Sequence, residues 1–509
     1  MNILFRLQFI ILFFIFFQVS YSQSFVDVKA GLTGVAESSC GWIDADRDGD
    51  LDILVAGQFR RSDQSSIYSR YYQNVRQDGF LSNISGLPDI YRGDFSIGDF
   101  DLDGVEDVAI IGELRGGRRI ATIYRGLKNG TFRATGIQFI PVRDGSITFG
   151  DFDVDGDPDI LITGESSGGP VTMVYRNERN NKFTLFNSSL PGILHGVACW
   201  IDFNLNGQLD IFITGMNSNG NAYSMLFEST AKGFSEVNTG IVALKNSNVA
   251  FGDVDNDGDP DILIIGETQG GSITTKLYLN NRRGGFRQIS VPFVAVKDGF
   301  ADWGDMDDDG DLDLLISGQS TNGPVSRVYR NERNGGFRDI NAGIIPLYNS
   351  SGQWGDYDLD GDLDILIAGL TSNAQPIARV YRNDRYKSAS RRVEITTESS
   401  TLWETITPVK ERVNPIYYFV YSSSYSDVYL EGTKGYYVFV SPVKRFTKHY
   451  VLEEKFQSLL IQKFPNWPRI DQGNIIQNGF STKEEADRSR ARVIKEYEGR
   501  KFKLVEVNW

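Results

Sequence analysis

Along most of the chain, apolar runs of strand length alternate with polar, glycine-rich stretches too short to hold a helix. The stretch FGDFDVDGDPDILITGE at 149–165 returns almost unchanged at 251–267 as FGDVDNDGDPDILIIGE, 102 residues further on. Within this unit SITFG runs into an acidic loop, the continuous apolar run DILITG follows, a Gly/Ser turn leads to VTMVYRN, and KFTLFNS closes the unit. Four strands are predicted. The second shows no alternation and is therefore expected to be buried on both faces.

Aligning every copy gives seven acidic loops, beginning at Asp44, Asp99, Asp151, Asp202, Asp253, Asp305 and Asp356, at steps of 55, 52, 51, 51, 52 and 51 residues. Nineteen residues before each stands a phenylalanine that opens a short alternating segment: Phe25, Phe80, Phe132, Phe183, Phe234, Phe286 and Phe337. Four strands per unit at this period favour propeller blades over the coils of a β-helix. The last unit stops after IARVYRND, whereas FVDVKAGL at 25–32 has no unit of its own and matches FRDINAGI at 337–344. A ring uses such a spare strand to complete its last blade and remove both free edges. The expectation is an all-β, seven-bladed β-propeller over residues 23–384, closed by the N-terminal strand.

Six of the loops read D-x-D-x-D-G-x-x-D, and the fourth has Asn at the third and fifth positions. Alternate carboxylates converge as the chain curls, and the glycine supplies the sharp turn. The seventh position varies, as a backbone carbonyl ligand would permit, and the ninth is always Asp, placed to fix the loop to the second strand. The expected ligands are Asp44, Asp46, Asp48 and Asp52; Asp99, Asp101, Asp103 and Asp107; Asp151, Asp153, Asp155 and Asp159; Asp202, Asn204, Asn206 and Asp210; Asp253, Asp255, Asp257 and Asp261; Asp305, Asp307, Asp309 and Asp313; and Asp356, Asp358, Asp360 and Asp364. The pattern matches the first half of an EF-hand loop but has Val55 where the twelfth-position Glu would stand. Hard oxygen donors without His or Cys point to Ca2+ at up to seven sites, the fourth weakest because two amides replace carboxylates there. Crowded carboxylates without a cation would repel one another.

These units resemble FG-GAP or VCBS repeats, the blades of integrin-α-type propellers. FG stands at Phe149-Gly150 and Phe251-Gly252, becomes Trp303-Gly304 and Trp354-Gly355, and departs to Trp42-Ile43 and Trp200-Ile201; ILVAG, ILITG and LLISG supply the small-residue ending. The resemblance implies calcium in the loops of one face, a ligand at the other, and adhesion or recognition of an extracellular protein or glycan. The alternative it leaves open is an extracellular polysaccharide-active enzyme, a lyase or hydrolase, using the propeller mouth.

Eight residues before each acidic loop, at the end away from calcium, stand Ala36, Tyr91, Arg143, Leu194, Lys245, Lys297 and Tyr348. Three cations and two tyrosines there mark Tyr91, Arg143, Lys245, Lys297 and Tyr348 as candidate contacts for an anionic or carbohydrate ligand. Catalytic residues are not assigned: His195 and His449 are the only histidines, so a Ser-His-Asp or Cys-His arrangement is not expected. Asp144, Lys297 and Asp298 share the mouth and keep carboxylate or lysine chemistry open.

The formal charge of −14 argues against a nucleic-acid partner. Residues 1–22 have a secretory layout, with Arg6, an apolar run from Leu7 to Val19 and the small-x-small end Ser20-Tyr21-Ser22, so a secreted or cell-surface location without a membrane span after cleavage is expected. Cys40 and Cys199 fall in first strands nearly across the ring and are expected as free, buried thiols. A polar linker is expected at 385–410, followed by a small α+β domain at 411–509 with strands IYYFVY and GYYVFVS, helices near His449–Lys463 and Thr482–Tyr497, and a last strand KFKLVEV. Its GFSTKEEADRSRARVIKEY resembles the second half of a SPOR domain, which implies cell-envelope association through wall glycan.

Overall fold

A computed structural model describes residues 24–59, 66–75, 79–186, 190–282, 285–333 and 336–384, and in the C-terminal part 416–423, 428–430, 433–435, 437–440, 444–446, 475–480, 483–499 and 503–506. The expected signal peptide, the linker and the helix near His449–Lys463 lie outside the described residues. The chain divides into two compact units, Met1–Glu394 and Ile395–Trp509.

In the first unit, Ala36–Ile43, Asp52–Gln58, Ile67–Asn74 and Phe80–Asn83 form an antiparallel sheet in chain order. The same order recurs over residues 91–134, 147–186, 194–237, 244–289 and 297–339, with the groups at 194–237 and 244–289 joined through Tyr223 and Leu244. The last group contains Tyr348–Gly355, Asp364–Leu370 and Pro376–Asn383, and its fourth strand comes from the other end of the chain. Phe25–Asp27 pairs antiparallel with it, Phe25 opposite Asn383 and Asp27 opposite Tyr381.

The second strands behave as their continuous apolar runs require. Every residue of Asp52–Gln58, Asp107–Glu113 and Asp364–Leu370 is buried. Each fully buried Ile or Leu contributes about 1.5–3 kcal/mol relative to exposure, so this layer carries most of the hydrophobic stabilisation.

Neighbouring groups are joined by a repeated bond. The Asn that ends a third strand donates its side-chain N–H to the backbone carbonyl at the second loop position of the preceding group: Asn177 to Phe100 at 2.9 Å, Asn280 to Phe203 at 2.7 Å, Asn331 to Val254 at 3.0 Å and Asn383 to Met306 at 2.9 Å. Asn74 of the first group makes the same bond to Tyr357 of the last, at 2.9 Å. Between the same two groups, the Trp42 backbone N–H donates to Gln353 Oε1 at 3.2 Å and the Trp42 ring stacks on Tyr357 at 5.9 Å, 4° from parallel. The interaction that joins consecutive groups thus also joins first to last.

In the C-terminal unit, Ile416–Ser423 pairs antiparallel with Tyr437–Val440, Lys444–Phe446 and Ile475–Phe480, and Lys503–Glu506 adds parallel to Tyr437–Val440. The last helix spans Lys483–Gly499, close to its expected bounds. Among the described residues no helix is long and apolar enough to cross a membrane.

Candidate functional site

Two ends of the first strands carry the candidate chemistry. At the outgoing end lie the acidic loops. The first Asp accepts the backbone N–H groups that close the turn, as Asp151 does from Asp155 and Gly156, both at 3.0 Å. The ninth-position Asp is a buried clamp. Asp159 Oδ2 accepts the Phe152 N–H at 3.0 Å and Oδ1 the Asn177 N–H at 2.8 Å, tying loop to third strand. Asp52, Asp107, Asp210, Asp261, Asp313 and Asp364 repeat the arrangement.

Carboxylate oxygens of Asp44, Asp46 and Asp48 come within 4.8 Å of one another, as do those of Asp99, Asp101 and Asp107, of Asp151, Asp153 and Asp159, of Asp253, Asp255 and Asp261, and of Asp305, Asp307 and Asp313. Asp44 Oδ1 and Asp101 Oδ1 are buried without a hydrogen-bond partner. Burial, with neighbouring carboxylates adding to it, pushes Asp52, Asp107, Asp159 and Asp261 up to about 7, Asp313 to about 8 and Asp364 to about 9. A divalent cation fits this donor set and would hold it ionised.

In several groups the residue before the third-strand Asn, or its counterpart, bears on the loop in a way the sequence reading missed. Arg125 pairs with Asp101, and Arg330 with Asp307 at 2.6 Å, supplying positive charge where a cation would sit. In the fourth group the equivalent residue is Glu228, whose Oε1 accepts from Asn204 Nδ2 at 3.0 Å. It brings a carboxylate to the loop from which two are missing. We expect chelation with excess EDTA to lower the melting temperature of the mature protein, and a calorimetric trace identical with and without chelator would count against bound cations.

The tips of these loops are also strained. Arg47, Leu102, Val154, Leu205, Asn256, Asp308 and Leu359 occupy the fourth position with φ between 52° and 63°. Asn and Asp adopt this region readily, whereas exposed Leu102 and Val154 do so at a disadvantage.

At the incoming end a second ring appears. Glu37, Arg92, Asp144, His195, Asn246, Asp298 and Asn349, one per group, stand seven residues before their acidic loops with φ between 42° and 51°. All seven line one cavity of about 450 Å³, together with Ser350 and the glycines 93, 145, 196 and 299. A Cβ at Gly145 or Gly196 would fall on the carbonyl oxygen of Thr163 or Thr214, which accounts for glycine after the ring residue there. Neighbours are stitched through the backbone: the Asp144 N–H donates to Arg92 O and the His195 N–H to Asp144 O, each at 2.9 Å. Arg92 Nε donates to Asp144 Oδ1 at 2.8 Å. Burial raises the Asp298 carboxyl above its usual range, with Lys297 acting against the shift.

The mouth contacts expected from sequence stand one residue before this ring, and none of them lines the cavity. The first strands carry register shifts here, between Tyr91 and Asp94 and between Lys297 and Phe300 among others, and the added residue turns the next side chain inward. The expected cations are also matched by carboxylates. Arg143 bonds Glu113 and Glu165, Lys245 and Lys297 both reach Glu267, and the Tyr91 hydroxyl, itself buried, bonds Glu113. The hydrogen bond from Arg143 holds Glu165 below its usual range, and that from Lys297 does the same for Glu267. These cations, expected as contacts for an anionic or carbohydrate ligand, are thus paired within the protein and stand outside the cavity lining. Tyr348 is half-buried opposite Leu370. A larger cleft of about 600 Å³ lies beside the second and third acidic loops, lined by Arg125 and Arg179, which pair with Asp101 and Asp157. Cys40 and Cys199 are free, and burial pushes both thiols up to about 12.

Repeated four-stranded antiparallel sheets, joined at five boundaries by the same Asn bond, define a β-propeller. The FG-GAP-like repeat matches residues 99–162, 151–213, 202–264, 253–316 and 305–367, together more than half of the 509 residues, and the chain belongs to the FG-GAP-like repeat family. No curated protein matches the chain. Among solved structures it is similar to Aleuria aurantia lectin, as a mutant in complex with alpha-methyl-L-fucoside, at 12% identity over 60% of this chain and 96% of that one, with a TM-score of 0.37. It is similar also to AofleA from Arthrobotrys oligospora, at 12% identity over 59% and 86% with a TM-score of 0.36. A third similar structure is Penicillium chrysogenum alpha-L-arabinanase complexed with arabinobiose, at 11% identity over 57% and 93% with a TM-score of 0.36. Likeness at this level carries no argument about function.

Proposed function

We propose that the chain is a secreted, calcium-binding, seven-bladed β-propeller that binds an extracellular ligand, best read as a carbohydrate, at the mouth opposite its acidic loops. The observation that carries the reading is the ring at residues 37, 92, 144, 195, 246, 298 and 349. Seven polar residues held in the left-handed region around one cavity are what a preorganised site looks like, because non-glycine residues adopt that conformation at a cost of order 1–3 kcal/mol each unless the surroundings impose it. The lining mixes donors and acceptors and contains no aliphatic side chain and no Phe, Tyr or Trp, which suits a hydroxylated ligand. Closure into seven blades is supported by the pairing of Phe25–Asp27 with Pro376–Asn383 and by the Asn74 bond to Tyr357.

Calcium would be held by the first, third and fifth loop residues with the ninth at its back; it supplies charge compensation that ties loop to strand. The C-terminal unit, through its SPOR-like segment, would associate the propeller with the cell envelope. The competing reading, a polysaccharide-active enzyme, would use the carboxylates of Asp144 and Asp298 at the same mouth.

A glycan array with product analysis tests the proposal. Retention without cleavage, lost on Asn246→Ala and Asn349→Ala, is expected. New reducing or unsaturated ends would favour the enzyme, and binding indifferent to both substitutions would move the site away from the mouth.

A further inference from the structure

The seven ring residues differ in charge, and the imbalance has a direction. Arg92 is the one cation among them, and it is engaged by Asp144, whose side chain is only 9% exposed. Outside the ring, Arg143, Lys245 and Lys297 are engaged by Glu113, Glu165 and Glu267. Asp298 is different. Among the described residues its carboxylate makes neither a hydrogen bond nor an ion pair, although it is half-buried on the cavity wall. Lys297 and His195 attract this carboxylate without pairing with it; a partly desolvated carboxylate with no hydrogen-bonded partner is costly, and a ligand that brings a positive donor to it gains most from binding.

We propose that Asp298 is the specificity-determining residue of the mouth and that it receives the protonated amine of an amino sugar. This rests on, and narrows, the glycan-binding reading. Asn246, Asn349 and Ser350 offer partners for the hydroxyls of the same ligand, in the units beside and beyond Asp298. The other common source of a primary amine, a lysine side chain, brings a four-carbon stem that favours an apolar wall. No aliphatic side chain lines this cavity.

The test measures binding of a chitosan tetrasaccharide, bearing free amines, and of its fully N-acetylated counterpart to the mature full-length chain by titration calorimetry at low salt. The free-amine form is expected to bind about tenfold more tightly, corresponding to about 1.4 kcal/mol. Asp298→Asn is expected to remove that difference by weakening the free-amine form about tenfold. The variant should fold, because Asn246 and Asn349 already occupy the equivalent left-handed position. Equal binding of both sugars, unchanged by D298N, overturns the amine assignment while leaving the mouth as a glycan site. If neither sugar binds but a tetralysine peptide does, and D298N abolishes it, the carboxylate reads a peptide and the amino-sugar assignment is wrong. Absence of binding by all three probes overturns the amine assignment, and the array with Asn246→Ala and Asn349→Ala decides the glycan reading beneath it separately.

Discussion

Asp159→Ala, measured by urea unfolding in chelator, should destabilise the propeller by about 4 kcal/mol, since it leaves two buried N–H groups without acceptors at about 1–3 kcal/mol each. Those groups are the backbone donors of Phe152 and Asn177, which Asp159 accepts on separate oxygens with no exposure of its own. Asn177 also holds the neighbouring group through Phe100, so the loss reaches across a blade boundary. Asp159→Asn keeps one acceptor and sets an amide against the other donor; roughly half the effect is expected. Chelator matters because it separates the clamp from any cation. Asp155→Asn on the same loop is exposed and, without metal, should change stability by under about 0.5 kcal/mol. A cost for D159A as small as that of the control would show that the ninth carboxylate acts only as a ligand.

That clamp was legible in the sequence because seven copies kept one residue unchanged while its neighbours drifted. The buried second strands were legible for a related reason: a run without alternation has no face to give to water. The cavity lining stands one residue further along than the contacts expected from sequence. Strand alternation assumes a period of two, and the irregularity near Tyr91, Lys245 and Lys297 inserts an extra residue, so Arg92, Asn246 and Asp298 turn inward instead. The partners of the mouth cations were readable in principle. Lys245 lies directly opposite Glu267, and Arg143 opposite Glu165, across a hairpin whose two strands the acidic loop joins. Glu228 could not be weighed from its own strand, since its significance depends on the amides it faces in another. The Asn in YYQN, VYRN and YLNN recurs visibly, but its partner sits in the preceding unit at 77 residues' separation, or 283 at the closure, and no local pattern encodes such distances.

Removing residues 24–29, and with them the strand Phe25–Asp27, is expected to give the second large effect. Three ladder pairs disappear, and Phe25 leaves its place 5.9 Å from the Trp354 ring. Backbone bonds at about 1 kcal/mol each and the contacts of a half-buried aromatic together amount to roughly 5 kcal/mol. The larger consequence is a free edge along Pro376–Asn383, since an unpaired strand is a template for another chain. Self-association by light scattering should therefore accompany the loss of stability. A synthetic peptide spanning residues 24–34, added in excess, should suppress both by filling the vacated place, whereas a peptide with Phe25→Ser should do so less well. The bonds of Trp42 and Asn74 to the last group would remain in the truncated chain, so the ring should loosen at one outer strand instead of opening. If the shortened protein stays monomeric and melts as before, the terminal strand merely lies against a propeller whose closure is complete without it.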